Sequence, residues 1–209
     1  TIMCGVPLLY SLFYEGIWRE VEEKGKLAYI LFRLLFNLSK LVKFIFRINI
    51  GRFLFSMIHK NLGGNIRFWV SGGAAIDPDI IKGFDVFGIT ILQGYGLTES
   101  APILTCCTLA NNKIGSIGKP IPGVEIRILD GEIIAKGPNI MKGYYRKPEA
   151  TAEIIKHGWL YTGDVGYVDK DGYVYVTGRI KDIIVTPSGV NVYPDEIEFV
   201  LNKIPIIKE

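Results

Sequence analysis

One short stretch, QGYGLTES at residues 93–100, combines side chains that could bind a nucleotide. Its glycines would let the backbone approach a flat or anionic ligand closely, and the ring of Tyr95 offers a stacking face. Thr98 could contact a phosphate oxygen, and Glu99 could hold a hard cation such as Mg²⁺. A second interpretation is that Thr98 and Glu99 merely cap a helix. The stretch therefore indicates a nucleotide site only if other motifs support it.

Short apolar runs punctuated by glycine predict the strands that would position this stretch. They are IRFWV (66–70), ITIL (89–92), ILTCCT (103–108) and VEIRIL (124–129). Between the first two lies DPDIIKGF, a predicted helix with Asp77 as its N-cap and Pro78 at its first position. Strand, helix and strand in this order predict a βαβ unit with a parallel sheet, so the fold class is α/β.

Ligands of an open α/β sheet collect at the carboxyl ends of its strands, and two glycine-containing segments lie there. SGGAA (71–75) follows the first predicted strand, and GYG (94–96) follows the second. Both segments could therefore line one crevice. Further along the chain, DKDG (169–172) lies between two apolar runs and predicts a hairpin turn.

The first 60 residues contain helical patterns rather than strands. One pattern covers about residues 9–24 and ends at Gly25, and the other covers about residues 26–60 with a break at Gly51. No signal-peptide pattern is predicted at the start of the chain.

The second helical pattern predicts a basic amphipathic helix. Helical winding gathers Arg33, Lys40 and Arg47 into one stripe opposite an apolar face, with Lys43 between them. Its charges interrupt every apolar run before the roughly 18 residues that a spanning helix needs, so residues 26–60 could lie on a membrane without crossing it. A solvated helix face is the equally weighted alternative. Nucleic acid is not expected as a partner, because the apolar face is too hydrophobic for a phosphate-binding surface.

Composition supports a globular chain with an uneven charge distribution. The 209 residues are 49% hydrophobic and 22% charged, with a formal net charge of +3. The stretch from Lys24 to Ile76 holds nine Lys and Arg and no Asp or Glu. Cys4, Cys106 and Cys107 show no disulfide or metal spacing, which fits a cytoplasmic location. A peripheral contact with the inner membrane surface would be made through residues 26–60.

One further segment precedes QGYGLTES and three follow it, in a specific order. They are TIMCGVPLLYSLFYEGIW (1–18), GEIIAKGPNIMKGYYRKPEAT (131–151), GWLYTGDVGYVDKDGYVYVTGRIKD (158–182) and SGVNVYPDEIE (188–198). Together with QGYGLTES, this order resembles the adenylate-forming enzymes, and among them most closely the bacterial long-chain fatty acid CoA ligases. The resemblance covers almost the whole chain, and the ordered set makes it specific.

The resemblance implies residues that bind ATP, Mg²⁺ and CoA. Tyr95 would stack on the adenine, with Gly73, Ala74, Gly94 and Gly96 supplying backbone around it. Thr98 would contact the α-phosphate, and Glu99 would hold the Mg²⁺. Asp164 of TGD would bind the ribose hydroxyls, and Arg179 of GRIKD would make a second ribose or phosphate contact.

The resemblance also implies a division into domains. Residues 1–180 would be the C-terminal part of a large AMP-binding domain with mixed sheets and helices. Residues 181–209 would be a hinge and the start of a small α+β domain that rotates between two half-reactions. Lys181 occupies the hinge position, and Gly189 lies where relatives admit the arm of CoA.

The implied reaction activates a fatty acid with ATP to acyl-AMP and then transfers the acyl group to CoA. Two alternatives stay open, namely an enzyme that adenylates an aryl acid or loads a carrier protein, and a non-catalytic membrane-binding fragment. Nothing in the chain matches the family's phosphate-binding loop or its C-terminal catalytic lysine. The isolated chain is therefore expected to be inactive.

Overall fold

The computed structural model describes residues 1–186 and 191–201. The chain divides into two units, Thr1–Gln93 and Gly94–Glu209. Both contain helices and strands, and the predicted α/β fold class is confirmed. The domain boundary expected near residue 180 stays a prediction.

The first unit combines a parallel sheet with five helices. Its elements in chain order are β1 (Ile2–Gly5), α1 (Pro7–Glu23), α2 (Lys26–Phe46), α3 (Gly51–Leu54), α4 (Ser56–Asn61), β2 (Phe68–Ser71), α5 (Pro78–Val86) and the beginning of β3 (Ile91–Tyr95). Strand β2 pairs in parallel with β1 on one side and with β3 on the other. Because α5 connects β2 to β3, the predicted βαβ unit is confirmed.

Helix α5 begins as its sequence predicts. The Asp77 side chain accepts a hydrogen bond of 2.8 Å from the backbone N of Asp79, and Pro78 is the first helical residue. This N-cap satisfies one of the amide groups that the first turn leaves without an intrahelical partner. The predicted start of the helix is confirmed.

Aromatic side chains form the core of the first unit. Trp69 on β2 is fully buried and stacks on Tyr10 of α1, with ring centroids 5.2 Å apart. Trp69 also packs edge to face against Phe84 of α5, with ring centroids 4.8 Å apart. The Tyr10 hydroxyl donates to the carbonyl of Val70 at 2.7 Å, so the polar end of this buried ring is satisfied.

The prediction of one helical pattern over residues 26–60, broken at Gly51, is wrong in its details. Helix α2 ends at Phe46, and Arg47 adopts a left-handed φ of 56° that stops it. Gly51 begins α3 instead of ending a helix. A Cβ at this position would lie 2.0 Å from the carbonyl oxygen of Val86, so close packing requires the glycine.

The second unit is built mainly from antiparallel strands. After the end of β3 come β4 (Thr105–Cys106), β5 (Lys119–Pro120), β6 (Glu125–Leu129), β7 (Glu132–Lys136), α6 (Pro148–Ile154), β8 (Ile155–Lys156), β9 (Trp159–Val168), β10 (Val174–Arg179), β11 (Ile184–Val185), β12 (Asn191–Val192) and α7 (Pro194–Leu201). Short 3₁₀ turns occur at Thr98–Ser100 and Ile180–Asp182.

Three sets of strand pairs organise this unit. The end of β3 pairs with β4, and β4 pairs with β5. The largest sheet has the order β10-β9-β7-β6, with β8 also paired to β9. Strands β11 and β12 pair with each other. All of these pairs are antiparallel.

The hairpin predicted at DKDG is confirmed between β9 and β10. The backbone N of Asp169 donates to the carbonyl of Tyr173 at 2.9 Å, and that of Gly172 donates to the carbonyl of Asp169 at 3.0 Å. The Lys113 ammonium contacts the carboxylates of Asp169 and Asp171 at 2.6 and 3.1 Å. The acidic pair in the turn is therefore compensated by a lysine.

Candidate functional site

Three of the predicted site residues meet in the second unit. Asp164 on β9 lies directly opposite Arg179 on β10 in the strand register. The hydroxyl of Tyr95, at the end of β3, donates to Oδ2 of Asp164 at 2.5 Å. The Nε atom of Arg179 lies 3.2 Å from Oδ1 of the same carboxylate. Both oxygens of Asp164 are thus engaged by residues that the sequence analysis assigned to the nucleotide.

The environment of Asp164 compensates its burial. The residue is only 4% exposed, and an unpaired carboxylate at such a position would be strongly destabilising. Arg179 supplies the opposite charge, while its own side chain is 64% exposed. Each carboxylate oxygen can accept more than one hydrogen bond, so Asp164 retains capacity to accept from a further donor.

The Tyr95 hydroxyl is held in its protonated, donating form. Burial raises the pKa of Tyr95 far above its ordinary value, and the neighbouring Asp164 carboxylate raises it further. The ring packs against the buried side chains of Leu104, Val124 and Ala135. The orientation of Tyr95 is therefore determined at both ends, by apolar packing and by a hydrogen bond.

The two glycines that flank Tyr95 have different structural roles. A Cβ on Gly96 would lie 2.0 Å from the carbonyl oxygen of Pro102, so the packing of the loop itself requires this glycine. A Cβ on Gly94 would find its nearest atom, the carbonyl oxygen of Thr105, at 3.8 Å. The predicted role in admitting a ligand to the backbone is consequently better suited to Gly94 than to Gly96.

The turn that carries Thr98 and Glu99 is closed by a third side chain. Ser100 Oγ accepts from the backbone N of Leu97 and donates to its carbonyl, both at 2.9 Å. Thr98 and Glu99 are the first two residues of this 3₁₀ turn, and the choice between a cap and a nucleotide contact stays a prediction. Thr98 is exposed, and Glu99 is half-buried.

A tyrosine that the sequence analysis did not assign contacts Glu99. The hydroxyl of Tyr144 donates to Oε1 of Glu99 at 2.5 Å, and the backbone N of Met141 donates to the carbonyl of Glu99 at 2.8 Å. The hydrogen bond to Glu99 is the main reason that the pKa of Tyr144 is raised. Both the side chain and the backbone of Glu99 are thus held by one loop.

The same loop also supports the residues that follow Glu99. The Asn139 amide donates to the carbonyls of Ser100 at 2.9 Å and Ile103 at 2.7 Å. Asn139 and Tyr144 belong to GPNIMKGYYR, which carried part of the resemblance but received no individual role. The sequence does show polar side chains between glycines in this segment. It does not show that they pair with residues about 40 positions earlier.

The remaining predicted residues belong to other segments of the chain. Gly73 and Ala74 follow β2 in the first unit and are exposed, and Gly73 has a φ of 86° that favours glycine. Lys181 is exposed in the 3₁₀ turn Ile180–Asp182. Gly189 lies outside the described residues, so its expected contact with CoA stays a prediction.

Glu99 is suited to a magnesium site completed by a substrate. Within residues 1–186 and 191–201, no group of three or more His, Cys, Asp or Glu side chains could hold a metal ion. Mg²⁺ commonly uses one or two carboxylates together with waters and substrate phosphates. A single half-buried carboxylate beside the exposed Thr98 fits that arrangement.

Comparisons with known proteins agree with the motifs. Residues 1–145 match the family described as AMP-binding enzyme. The long-chain-fatty-acid–CoA ligase FadD15 of Mycobacterium bovis is 41% identical over 159 residues, which covers 76% of this chain and 26% of that protein. The peroxisomal long chain acyl-CoA synthetase 7 of Arabidopsis thaliana is 32% identical over 229 aligned residues, covering 100% of this chain and 33% of that protein.

A solved structure shows the same fold. O-succinylbenzoate coenzyme A synthetase (MenE) of Bacillus subtilis, in complex with ATP and magnesium ion, superimposes with a TM-score of 0.64 at 33% identity. The match covers 73% of this chain and 36% of that one. The chain thus spans about a quarter to a third of the length of the curated relatives described above. The match over residues 1–145, the motif order and the Tyr95–Asp164–Arg179 cluster lead to one conclusion, that this chain belongs to the AMP-binding, adenylate-forming enzyme family.

Proposed function

We propose that the site belongs to an AMP-forming acyl-CoA synthetase. The enzyme would activate a carboxylic acid with ATP to an acyl-adenylate and then transfer the acyl group to CoA. The observation that carries this proposal is the cluster of Tyr95, Asp164 and Arg179, in which an aromatic ring, a buried acceptor and an exposed guanidinium converge. These are the three groups that a nucleoside phosphate needs for its base, ribose and charge.

Asp164 is the residue best suited to the ribose. A carboxylate accepts hydrogen bonds only, and a ribose presents two neighbouring hydroxyl donors. Tyr95 and Arg179 hold the carboxylate in one orientation before the ligand arrives. Such preorganisation reduces the conformational entropy lost on binding. The exposed guanidinium of Arg179 can also contact the ribose or a phosphate.

Thr98 and Glu99 would act on the phosphates. Thr98 is exposed and can donate its hydroxyl to an α-phosphate oxygen. Mg²⁺ held at Glu99 would neutralise charge on the phosphates, as a magnesium ion does in phosphoryl chemistry generally. Tyr144 and Met141 maintain the position of Glu99 through its side chain and its carbonyl. The magnesium ion named in the MenE complex supports this assignment by analogy.

The acid is proposed to be a long-chain fatty acid. Two relatives carry names of long-chain fatty acid or acyl-CoA ligases. In addition, the first unit contains a cavity of about 470 Å³ between α1, α2 and the short helices that follow them. Its walls include the apolar side chains of Phe13, Ile17, Phe32 and Leu35. A volume in this range is typical of small-molecule pockets, and its lining suits an alkyl chain.

An aryl or dicarboxylic acid is the second candidate substrate. The observation that favours it is the structural similarity to MenE, whose name specifies O-succinylbenzoate. Pyrophosphate exchange separates the two candidates, because only an acid that is adenylated supports exchange of label into ATP. The full-length protein is expected to exchange with palmitate and not with O-succinylbenzoate. The reverse preference would assign the site to the second class.

A matched pair of Tyr95 variants tests the nucleotide site itself. Tyr95→Ala removes the stacking face and is expected to weaken ATP binding by about 1–3 kcal/mol. Tyr95→Phe keeps the ring and loses only the hydrogen bond to Asp164, so most of the affinity should remain. Isothermal titration on the full-length protein measures both. Wild-type affinity in Tyr95→Ala would refute the assignment.

A further inference from the structure

Helix α2 uses one side to pack on the first unit. Phe32 and Phe36 contact the ring of Trp18, with centroids 5.1 and 5.4 Å away. Ser39 is buried, and its hydroxyl donates to the carbonyl of Val86 at 2.9 Å. The ammonium of Lys43 pairs with Asp85 of α5. This side of the helix is therefore already satisfied within the unit.

The opposite side of α2 is apolar as well, and it is exposed. Residues at intervals of three or four positions form a single stripe along the helix. We call it the apolar stripe; it consists of Leu27, Ile30, Leu31, Leu34, Leu38, Leu41 and Ile45, which are 47 to 82% exposed. Large apolar side chains that follow the helix in sequence are exposed as well, among them Ile48 at 60% and Phe53 at 84%. Isolated exposed leucines are ordinary, but a contiguous set of this size marks an interaction surface.

A basic row borders the apolar stripe. Arg33, Lys40 and Arg47 are exposed and lie seven residues apart. At about 100° per residue, the row lies roughly 120° around the helix from the centre of the stripe. Lys43 does not belong to this row, because its charge is used by Asp85.

Charge determines which partner fits this surface. The stretch from Lys24 to Ile76, which contains the basic row, has nine Lys and Arg and no acidic residue. A two-fold pairing of α2 with a second copy would bring two basic rows to one interface, where like charges repel. An anionic bilayer accepts both features, since its acyl region takes the stripe and its phosphates attract the row.

We propose that α2 docks the protein on an anionic membrane surface. The helix lies parallel to the bilayer, with the apolar stripe inserted below the headgroups and Arg33, Lys40 and Arg47 directed to lipid phosphates. Long basic side chains can keep their stems along the apolar boundary while their charges stay in the headgroup layer. Within the described ranges, no helix is long and apolar enough to cross a bilayer.

Vesicle co-sedimentation of the full-length protein tests this proposal. The protein is expected to sediment with vesicles of phosphatidylcholine mixed with phosphatidylglycerol, and much less with phosphatidylcholine alone. Leu34→Ser combined with Leu38→Ser should lower vesicle affinity about tenfold or more, because two leucine side chains no longer transfer from water to lipid. The matched control is Leu8→Ser with Leu12→Ser, two exposed leucines four residues apart on α1. The control should bind like the wild type.

A charge variant separates the role of the basic row. Arg33→Gln with Lys40→Gln should reduce binding to the anionic vesicles several-fold and weaken its dependence on salt. Lys147→Gln with Lys170→Gln removes the same charge from exposed positions in the second unit and should leave binding unchanged. Equal losses in both pairs would mean that net charge, not the row, drives binding, and would overturn the proposal.

Two other outcomes would also overturn it. If Leu34→Ser with Leu38→Ser turns a dimer into a monomer in sedimentation velocity while vesicle binding persists, the stripe is a contact between copies. If α2 in the full-length protein is already protected from hydrogen–deuterium exchange without vesicles, and vesicles add no further protection, another part of the protein covers it. Circular dichroism of every variant at 25 °C identifies unfolding, and a second stripe pair, Leu27→Ser with Ile30→Ser, replaces any variant that unfolds.

Discussion

Two carboxylates of the candidate site are held by tyrosine hydroxyls, each in its own way. Asp164 is buried and shares its charge with Arg179 as well as Tyr95. Glu99 is half-buried and receives the hydroxyl of Tyr144. A phenol that donates to a carboxylate restricts its rotamers without neutralising its charge. Asp164 is therefore suited to a neutral donor such as a ribose hydroxyl, and Glu99 to a cation.

The Tyr144–Glu99 hydrogen bond gives a prediction about magnesium. Tyr144→Phe leaves Glu99 free to sample other rotamers, so the Mg²⁺ concentration for half-maximal pyrophosphate exchange should rise several-fold. Glu99→Gln should raise it much further, because an amide oxygen is a poorer ligand for a hard dication.

The neighbouring residue supplies the control for that measurement. Tyr145 is 82% exposed, and Tyr145→Phe removes the same hydroxyl one position along the chain. It should leave the Mg²⁺ dependence unchanged. An unaltered Mg²⁺ dependence in Tyr144→Phe would show that the hydrogen bond does not position Glu99 during the reaction.

At the scale of elements, the loop after β3 is shaped by contacts that arrive from later in the chain. Asn139 and Met141 hold its backbone, and Tyr144 holds its acidic side chain. Close approach to Pro102 requires Gly96, whereas Gly94 has space above it. The loop therefore separates a glycine needed for packing from a glycine available to a ligand.

Substitution of these two glycines should have opposite consequences. Gly96→Ala forces a Cβ into the carbonyl of Pro102 and should destabilise the fold by about 1–3 kcal/mol. Gly94→Ala should leave the melting temperature nearly unchanged but weaken ATP binding, because the methyl group occupies space proposed for the nucleotide. Thermal unfolding and isothermal titration on the two variants measure this. Equal melting temperatures would contradict the packing role of Gly96.

The β9–β10 hairpin contains an ion pair whose effect depends on pH. The hydrogen bond from Lys113 is the main reason that the pKa of Asp169 is lowered from 3.8 to about 2. A lowered carboxyl pKa stabilises the folded state above the unfolded pKa and loses that effect as the pH falls through the folded pKa. The stabilisation is thus complete above about pH 5 and lost between about pH 4 and pH 2.

Lys113→Met should therefore destabilise the protein at pH 7 and progressively less in acid. The difference in melting temperature from the wild type should shrink as the pH falls from 4 towards 2, because Asp169 becomes neutral in both proteins. Lys170→Met, at an exposed position in the same turn, is the control and should show little difference at any pH. A constant difference across this range would show that the lysine acts through packing alone.

At the scale of the whole molecule, the family relationship predicts a rotation about the segment after β10. Lys181 is exposed in the short turn that follows Arg179, so the proposed hinge begins two residues after a site residue. A hinge at this place would move the chain beyond it while β9 and β10 keep Asp164 in position.

Lys181→Pro tests the hinge. Proline fixes φ near −65°, and a hinge must change its backbone angles between two orientations. Pyrophosphate exchange and thioester formation in the full-length variant should fall by clearly different factors. Equal losses in the two half-reactions would contradict rotation at this position. Lys170→Pro, in an exposed turn of the preceding hairpin, controls for a general effect of proline.

The amino-acid sequence by itself determined the features that depend on neighbouring residues. The cap at Asp77, the βαβ unit around α5 and the hairpin at DKDG all follow from local spacing and turn chemistry, and the structure contains each of them. The ordered motifs also identified the family, because several short segments in one order are much more specific than any one of them.

Only the tertiary structure decided which residues far apart in the chain contact one another. Periodicity predicted one apolar face on α2. It did not predict that Ser39 and Lys43 find partners in Val86 and Asp85 of α5, or that a second, apolar side of the helix is exposed. Likewise, no local pattern indicates that Tyr144 contacts Glu99 or that Pro102 excludes a side chain at Gly96. Such contacts depend on packing between segments far apart in the chain, and short-range propensities carry no information about which segments meet.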